Sequence, residues 1–418
     1  MARLEPLRQL SPITWGRRLV DLLGPTGNAT RQSLVALVVN SASSLVAGVV
    51  LGSIIYRFEE LPGLLLMVPA AIGLRGNIFS TFGNRISTAV HTGEFTPTLR
   101  RETLFGQNVL ATMSLTVVLS LVLAVVARVV AMVFGVENPI GILELVLISM
   151  VAGVLASLVV LAASVLLSIM AVRRDWDLDN LVAPTVSTLG DVVTIPCLFL
   201  ASLLVGTGRW TLWVAGFLVL AAIAVAVLSV RSRLEDFRRI VIESLPVLSV
   251  ALVLSTLAGV AVEKRLAIFA TLPALLVLQP AFVSSAGALG GILSSRIGTN
   301  LHLGLVEPTL VPGRIVLEDA SLVLGLALPV YVVNALGAQF AASVLSQASP
   351  GVWWMLAVSL LAGAVTVLFV VALAYYGTVA AWRVDLDPDS VGIPVVTASV
   401  DFVGAVCLVA VVVTFGLV

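Results

Sequence analysis

Charge is what this chain most lacks. Charged residues make up 11% of its 418 positions, against the ~25% of a soluble domain. Apolar residues make up 59% and the mean hydropathy is +1.13. That balance excludes an ordinary soluble globule and defines a polytopic, all-α integral membrane protein. The 23 basic and 23 acidic residues cancel and form no basic run, which argues against nucleic acid as a partner. Histidine and cysteine are equally scarce, two of each, and no zinc-spaced ligand set, nucleotide-binding glycine loop or nucleophile beside a base occurs. Nothing here points to an enzyme. Cys197 and Cys407 lie in apolar segments and read as small buried hydrophobes rather than a disulfide or metal pair.

The first thirty residues contain no apolar run of signal-peptide length. They are expected to form a cytoplasmic tail, residues 1–30, whose leucines and Trp15 suit either a helix lying in the interface or a solvated segment. From there the apolar stretches read as spans at 33–56, 62–82, 105–135, 141–171 and 182–206, each long enough for the ~20 residues a bilayer requires. A second set follows at 243–262, 268–292, 316–346, 352–380 and 391–416. At an offset of 211, Asn84–Leu99 lies on Ser295–Leu310, and the only two histidines, His91 and His302, superpose. So do Pro69 with Pro280, Gly76 with Gly287, and Ala47-Gly48 with Ala258-Gly259. The chain is an internal repeat, with a first repeat over 31–208, a linking segment over 209–242 and a second repeat over 243–418.

Five spans per repeat would invert the second copy, as in many transporters. The unmatched apolar segment Trp210–Val230 returns the chain to its starting side. The expectation is eleven spans, two five-helix repeats in parallel orientation, and a pseudo-twofold axis along the membrane normal. Charge agrees: with the N-terminus inside, seventeen arginines fall on the inner side, against Arg57, Arg209, Lys264 and Arg265 outside. The C-terminus is then external, and the expected location is the cell membrane.

The chemistry concentrates where charge enters the spans. P-T-V-S-T-L-G-D at Pro184–Asp191 recurs as Pro394, Thr397 and Asp401. Offsets of −7, −4 and 0 lie on one helix face, so Pro184, Ser187 and Asp191 form one polar stripe and Pro394, Thr397 and Asp401 another. An intramembrane Asp is a functional-site candidate by default. The second span carries V-P-A-A-I-G-L-R-G-N at Val68–Asn77, with glycines that allow close approach and an Asn oxygen. Counted at 1.5 Å per residue, Asn77 lies ~22 Å from one face and Asp191 ~13 Å from the other, within one or two turns in a core ~30 Å thick.

P-x-x-x-G-x-x-G-N in the second span, together with the acidic loop, Pro and Asp of the fifth, resembles the membrane domain of MgtE-type magnesium channels. G-L-R-G-N-I-F-S-T-F-G-N-R-I-S-T-A, two repeats and an extra linking span look closer still to the solute carrier 41 family and its prokaryotic relatives. The resemblance implies Mg²⁺ as transported and bound ion, a path between two five-helix halves lined by second and fifth spans, and Asp191 and Asp401 as the ion-binding carboxylates. Asn77, Ser187 and Thr397 are candidate additional ligands; Pro69, Gly76, Pro280, Gly287, Arg75, Pro184 and Pro394 are candidates to line or support the path. Gly287-Ala288 stands where the first repeat has Gly76-Asn77, so the site is expected to be asymmetric. The cytoplasmic domains that gate MgtE channels have no counterpart in this sequence.

Two facing carboxylates suit Mg²⁺, which keeps most of its water and takes one or two carboxylates. The competing reading is that a structural partner such as Arg75 neutralises each Asp, although Arg75 matches Ala286 and has no second copy. Asp175, Asp177 and Asp179, with Asp385, Asp387 and Asp389, precede the two fifth spans as acidic loops. They read either as a sensor for internal Mg²⁺ or as solvated helix starts. Gln107-Asn108 aligns with Glu318-Asp319, a polar pair at the inner mouth that suits a cation path or a solvated rim. The functional expectation is divalent cation transport; the alternative is a Na⁺- or H⁺-coupled secondary transporter of another cation. Because both halves of the path occur in one chain, a monomer is expected to suffice, with dimers through another face compatible.

Overall fold

A computed structural model describes residues 28–91, 95–96, 98–173, 178–384 and 393–416. Among the described residues every regular element is helical. The first half contains α1 (Asn28–Ser53), α2 (Ile55–Glu60), α3 (Met67–His91), α4 (Leu104–Val133), α5 (Ile142–Arg173) and α6 (Leu178–Ser202). After α7 (Trp210–Val230) the same order returns as α8 (Glu235–Glu263), α9 (Leu266–Thr271), α10 (Pro273–His302), α11 (Arg314–Val344), α12 (Val352–Arg383) and α13 (Ile393–Thr414). Nine of these helices are long and apolar enough to cross a membrane. Of the other two long ones, α3 is more polar and α6 is apolar over the shorter stretch Thr188–Ser202, and both contribute residues to the site below. α7 is the helix most open to lipid, with Trp213 82% and Phe217 69% exposed.

The second spans differ from the sequence-based boundaries 62–82 and 268–292. α3 starts only at Met67 and runs on to His91, while α10 runs unbroken from Pro273 to His302. Residues 61–66 form turns instead, because Pro62-Gly63 interrupts the helix and Gly63 adopts φ +91°, open to glycine without a Cβ penalty. Backbone freed inside a membrane bundle must be satisfied by protein. Here the Glu263 carboxylate at the end of α8 accepts from the Gly63 amide at 2.7 Å. In the second half the matching pair is Pro273-Ala274, and Pro273 simply opens α10, since the first helical position needs no N–H donor.

The two halves are interlocked through their first helices. α1 packs against α10 and α11 of the second half as well as α6 of its own. α8 does the reverse, packing on α3 and α4 and on α13. Small residues at the crossings permit this: a Cβ on Gly48 would drive into the Val277 carbonyl, and one on Gly259 would come within 2.6 Å of the Leu66 backbone. Gly48 and Gly259 are 211 apart, as are Leu66 and Val277, so each crossing is a copy of the other.

The two crossings are sealed with different chemistry. Ser41 and Ser285 share a hydrogen bond at 3.1 Å, and Asn334 donates to Ser285 at 3.0 Å and to the Ala281 carbonyl at 3.2 Å. At the same offset the other crossing has Leu252, Leu74 and Leu123, all buried. One first helix is held by a polar cluster and the other by aliphatic packing. Interhelical hydrogen bonds in membranes contribute ~0.6–2 kcal/mol each.

Gly48→Ala and Gly259→Ala are expected to destabilise the detergent-extracted protein by about 1–3 kcal/mol each, the scale of overpacking a close contact. Gly216→Ala on α7, where nothing lies within 4 Å of the added methyl, is the matched control and should be neutral or slightly stabilising. Thermal unfolding of the three variants checks this; equal midpoints would show that the crossings tolerate a methyl.

Candidate functional site

Between α3 and α10 lies a cavity of about 240 Å³, completed by residues of α1, α6 and α13. Its walls are largely paired residues at the 211 offset: Val68 and Gln279, Pro69 and Pro280, Gly73 and Ser284, Gly76 and Gly287, Asn77 and Ala288, Ser80 and Gly291. A seventh pair, Ile72 and Val283, is apolar on both sides, and at four of the seven levels only one member of the pair carries a polar side chain. α10 supplies it at Gln279 and Ser284, and α3 supplies it at Asn77 and Ser80. The polar side of the cavity therefore changes wall along its length. Asp191 and Asp401 reach it from α6 and α13.

Each carboxylate is held by a serine on a first helix. Ser44 on α1 donates to Asp191 Oδ2 at 3.1 Å, and Ser255 on α8 donates to Asp401 Oδ2 at 3.2 Å. The serines are 211 apart and the aspartates 210 apart, so this contact is duplicated. Asp191 receives a second hydroxyl, Ser284 of α10 at 3.3 Å, which itself accepts from Asn40 Nδ2 at 3.0 Å. The hydrogen-bond chain from Asn40 through Ser284 to the accepting Asp191 has no copy in the other half, where Gly73 stands for Ser284 and Ala251 for Asn40. Asp401 instead sits between glycines. A Cβ on Gly287 would lie 3.4 Å from its Oδ1 and one on Gly73 3.5 Å from its Oδ2. Asp191 is 6% exposed, whereas Asp401 is only partly buried.

Neither carboxylate forms an ion pair among the described residues. The ion pairs present are Arg57–Glu60, Asp236–Arg239, Arg296–Asp319 and Arg314–Glu318. Arg75, the candidate neutraliser, is 2% exposed and does not line the cavity. Its Nη1 donates to the Ala71 carbonyl of its own helix at 3.1 Å, and its guanidinium rests against Gly153 and Ser120. Two carboxylates on one cavity without a basic partner are costly unless a cation or proton joins them.

The remaining candidates fall as follows. Thr397 lines the cavity one turn before Asp401 and donates to the Pro394 carbonyl at 3.1 Å, which leaves its oxygen lone pairs available; Pro394 itself is buried behind it. The side chains of Pro184, Ser187, His91, Asp175, Asp177, Asp179, Asp385, Asp387 and Asp389 lie outside the described residues. Asp319 is paired with Arg296 at 2.7 Å and accepts from Asn300 at 3.2 Å, while Glu318 is paired with Arg314 at 3.0 Å. Neither lines the cavity. At the first-half position Arg85 bonds Asn108 at 2.6 Å, so the same latch between second and third spans is charged in one half and half-neutral in the other. His302 contacts the Gly298 carbonyl at 2.8 Å and the Trp382 ring.

Asn40, Ser44, Ser80, Ser255, Gln279 and Ser284 escaped the sequence reading. Serines and a Gln within apolar runs carry little signal alone. The detectable sign was register: Ser44 and Ser255 superpose three residues before the Ala-Gly pairs already matched.

An all-helical bundle with unpaired carboxylates on an internal cavity is the architecture of a membrane transporter. The family model for MgtE, a divalent cation transporter, matches residues 68–201 and again 279–411. The chain belongs to the MgtE family of divalent cation transporters, and it is a transporter rather than an enzyme. Among curated proteins it is 25% identical to solute carrier family 41 member 2 of Xenopus laevis over 398 residues, 90% of this chain and 70% of that one. It is 23% identical to the human member 2 over 92% of this chain and 70% of the relative. To solute carrier family 41 member 3 of Rattus norvegicus it is 23% identical over 66% of this chain, spanning 61% of that protein's length. No solved structure matches significantly.

The two latches yield a stability prediction. Arg296→Ala leaves the buried Asp319 carboxylate with Asn300 alone, and should cost about 1–3 kcal/mol after discounting for the half-exposed arginine. Arg85→Ala leaves a neutral Asn108 still bonded to the Leu104 carbonyl at 2.9 Å and should cost about 1 kcal/mol. Unfolding of the two variants side by side measures the difference, and a larger loss for Arg85→Ala would contradict it.

Proposed function

We propose that this protein carries Mg²⁺ across the cell membrane through the path between its two halves, with Asp191 and Asp401 jointly holding one largely hydrated ion. The observation that carries this reading is the cavity bounded by two carboxylates that have hydroxyl partners but no basic one. Its volume, about 240 Å³, exceeds that of six waters at ~30 Å³ each. The retained shell of Mg²⁺ can therefore stay in place while its waters donate to the carboxylates. Ser44 and Ser255 fix the two carboxylates, so little side-chain order is lost when the ion arrives. Asn77, Thr397 and Ser187 would offer neutral oxygens to the same shell.

The polar residues that alternate between walls suit conduction. Along the path stand Gln279, then Asn40 and Ser284 beside Asp191, then Asn77 and Ser80 further along α3, with Thr397 one turn before Asp401. Neutral oxygens flanking a charged site let an ion enter without trapping it. Eleven crossings, parallel halves, an inside N-terminus and an outside C-terminus complete the proposal, and a single chain then contains the whole path. The acidic triplets before α6 and α13 would lie at its inner mouth and sense internal Mg²⁺.

The purified chain in proteoliposomes tests this. Mg²⁺ influx and Mg²⁺-dependent thermal stabilisation are expected for the wild type, and both should vanish in Asp191→Asn with Asp401→Asn while the protein still extracts as a folded species. Unchanged flux in that double variant would overturn the assignment. Flux that requires an imposed Na⁺ or proton gradient would replace a channel by a coupled transporter.

A further inference from the structure

The two halves fill one equivalent interior space in opposite ways. In the second half the Tyr331 ring lies on Gly363, with three ring carbons within 2.7 Å of the methyl position that glycine lacks, and packs on Phe282 at 4.8 Å between centroids. In the first half the matching glycine is Gly153, the position of Tyr331 is Ser120, and that of Phe282 is Ala71. The backbone frames agree: Ser149 donates to the Ser120 carbonyl at 2.7 Å and Ser359 to the Tyr331 carbonyl at 2.8 Å. The space vacated by the two rings is taken by Arg75, whose Nη2 lies 2.6 Å from the methyl position of Gly153. Arg75 itself replaces Ala286. A positive charge thus stands where the other half has a phenol.

Arg75 also backs onto the cavity wall. Gly76, its neighbour, lines the cavity, and the Arg75 Cβ is 3.4 Å from the methyl position of Gly190, the residue before Asp191. The guanidinium points away from the cavity to Gly153 of α5, a separation on the scale of one helix diameter, ~10 Å. Arginine keeps its charge when buried, and no carboxylate among the described residues pairs with it. Its field therefore reaches the ion position through low-dielectric protein.

We propose that Arg75 is a specificity-determining residue of the ion site, a fixed positive charge that weakens cation binding on the Asp191 side and leaves Asp401 as the stronger ligand. This rests on the reading of Asp191 and Asp401 as the ion site. The repulsion is twice as large for a divalent as for a monovalent cation, so it limits how tightly Mg²⁺ is held and lets it leave. The two hydroxyls on Asp191, against one on Asp401, bias the pair in the same direction.

The experiment is a Mg²⁺ titration of thermal stabilisation on the purified full chain. Arg75→Met removes the charge, and Arg75→Ala with Ser120→Tyr removes it while rebuilding the packing of the second half. Arg75→Lys keeps the charge. A charge ~10 Å from a divalent ion at an effective dielectric of ~20 shifts affinity more than tenfold. We expect the half-saturating Mg²⁺ concentration to fall at least about fivefold in both neutral variants and to stay within twofold of wild type in Arg75→Lys. Half-saturation within twofold of wild type in both neutral variants, or a fall in Arg75→Lys equal to that in Arg75→Met, would overturn the proposal and reduce Arg75 to packing. A wild type that Mg²⁺ does not stabilise would overturn the ion-site reading, and this inference with it.

Discussion

Two carboxylates sharing a small cavity inside an apolar bundle set the terms for everything around them. In lipid such a pair cannot be left to water, and no basic partner among the described residues cancels its charge. The structure meets this with hydroxyls: Ser44 and Ser255 orient the carboxylates without neutralising them. Those serines must come from somewhere close. They are delivered by the first helix of each half, which reaches the site only because Gly48 and Gly259 let it cross the other half's second helix or the turn leading into it at backbone contact. The ionic constraint at the centre thus propagates outwards to the crossing glycines and to the topology of the bundle.

Duplication supplies the frame, and divergence supplies the direction. A site built from two identical halves would present the same ligands twice. Here the second hydroxyl on Asp191, the glycines around Asp401 and the polar residues that change wall make the two sides unlike. The crossings diverge too, one polar and one aliphatic, as do the latches, Arg296 with Asp319 and Arg85 with Asn108. The differences change polarity, and in the latch charge, while the repeated helix order is kept.

The sequence shows most plainly what is chemically conspicuous. An Asp in an apolar run stands out, so Asp191 and Asp401 could be read at once, and a Pro or Gly at a repeated offset marks the helix it belongs to. Asn77 and Thr397 were visible for the same reason, and all four border one cavity. Serines were hidden because one hydroxyl in an apolar run is ordinary, and their meaning lies in what they touch across 147 and 146 residues of chain. The break at Pro62-Gly63 was read as span because its flanks are apolar; what stabilises it is Glu263, two hundred residues away. Arg75 was legible as a buried charge, yet its surroundings depend on Gly153 and Ser120, which no local pattern connects to it.

The crossed first helices have a consequence for synthesis. The surface on which α1 docks begins at Pro273, about 220 residues after Ser53 ends it. At ~5–20 residues per second of translation, α1 waits roughly 10–45 s in the bilayer before that second-half partner exists, with Asn40 and Ser41 unengaged across that face. α8 meets no such delay, because α3 and α4 are already in place when it emerges. Assembly is therefore ordered in time: the aliphatic dock closes first, during elongation, and the polar one closes last, after α11 has been made. The helix that must linger is the one whose seam is polar, and hydrogen-bonding groups can be satisfied by water at the membrane surface, or by other polar groups, while aliphatic seams have no such holding partner to distinguish them from lipid.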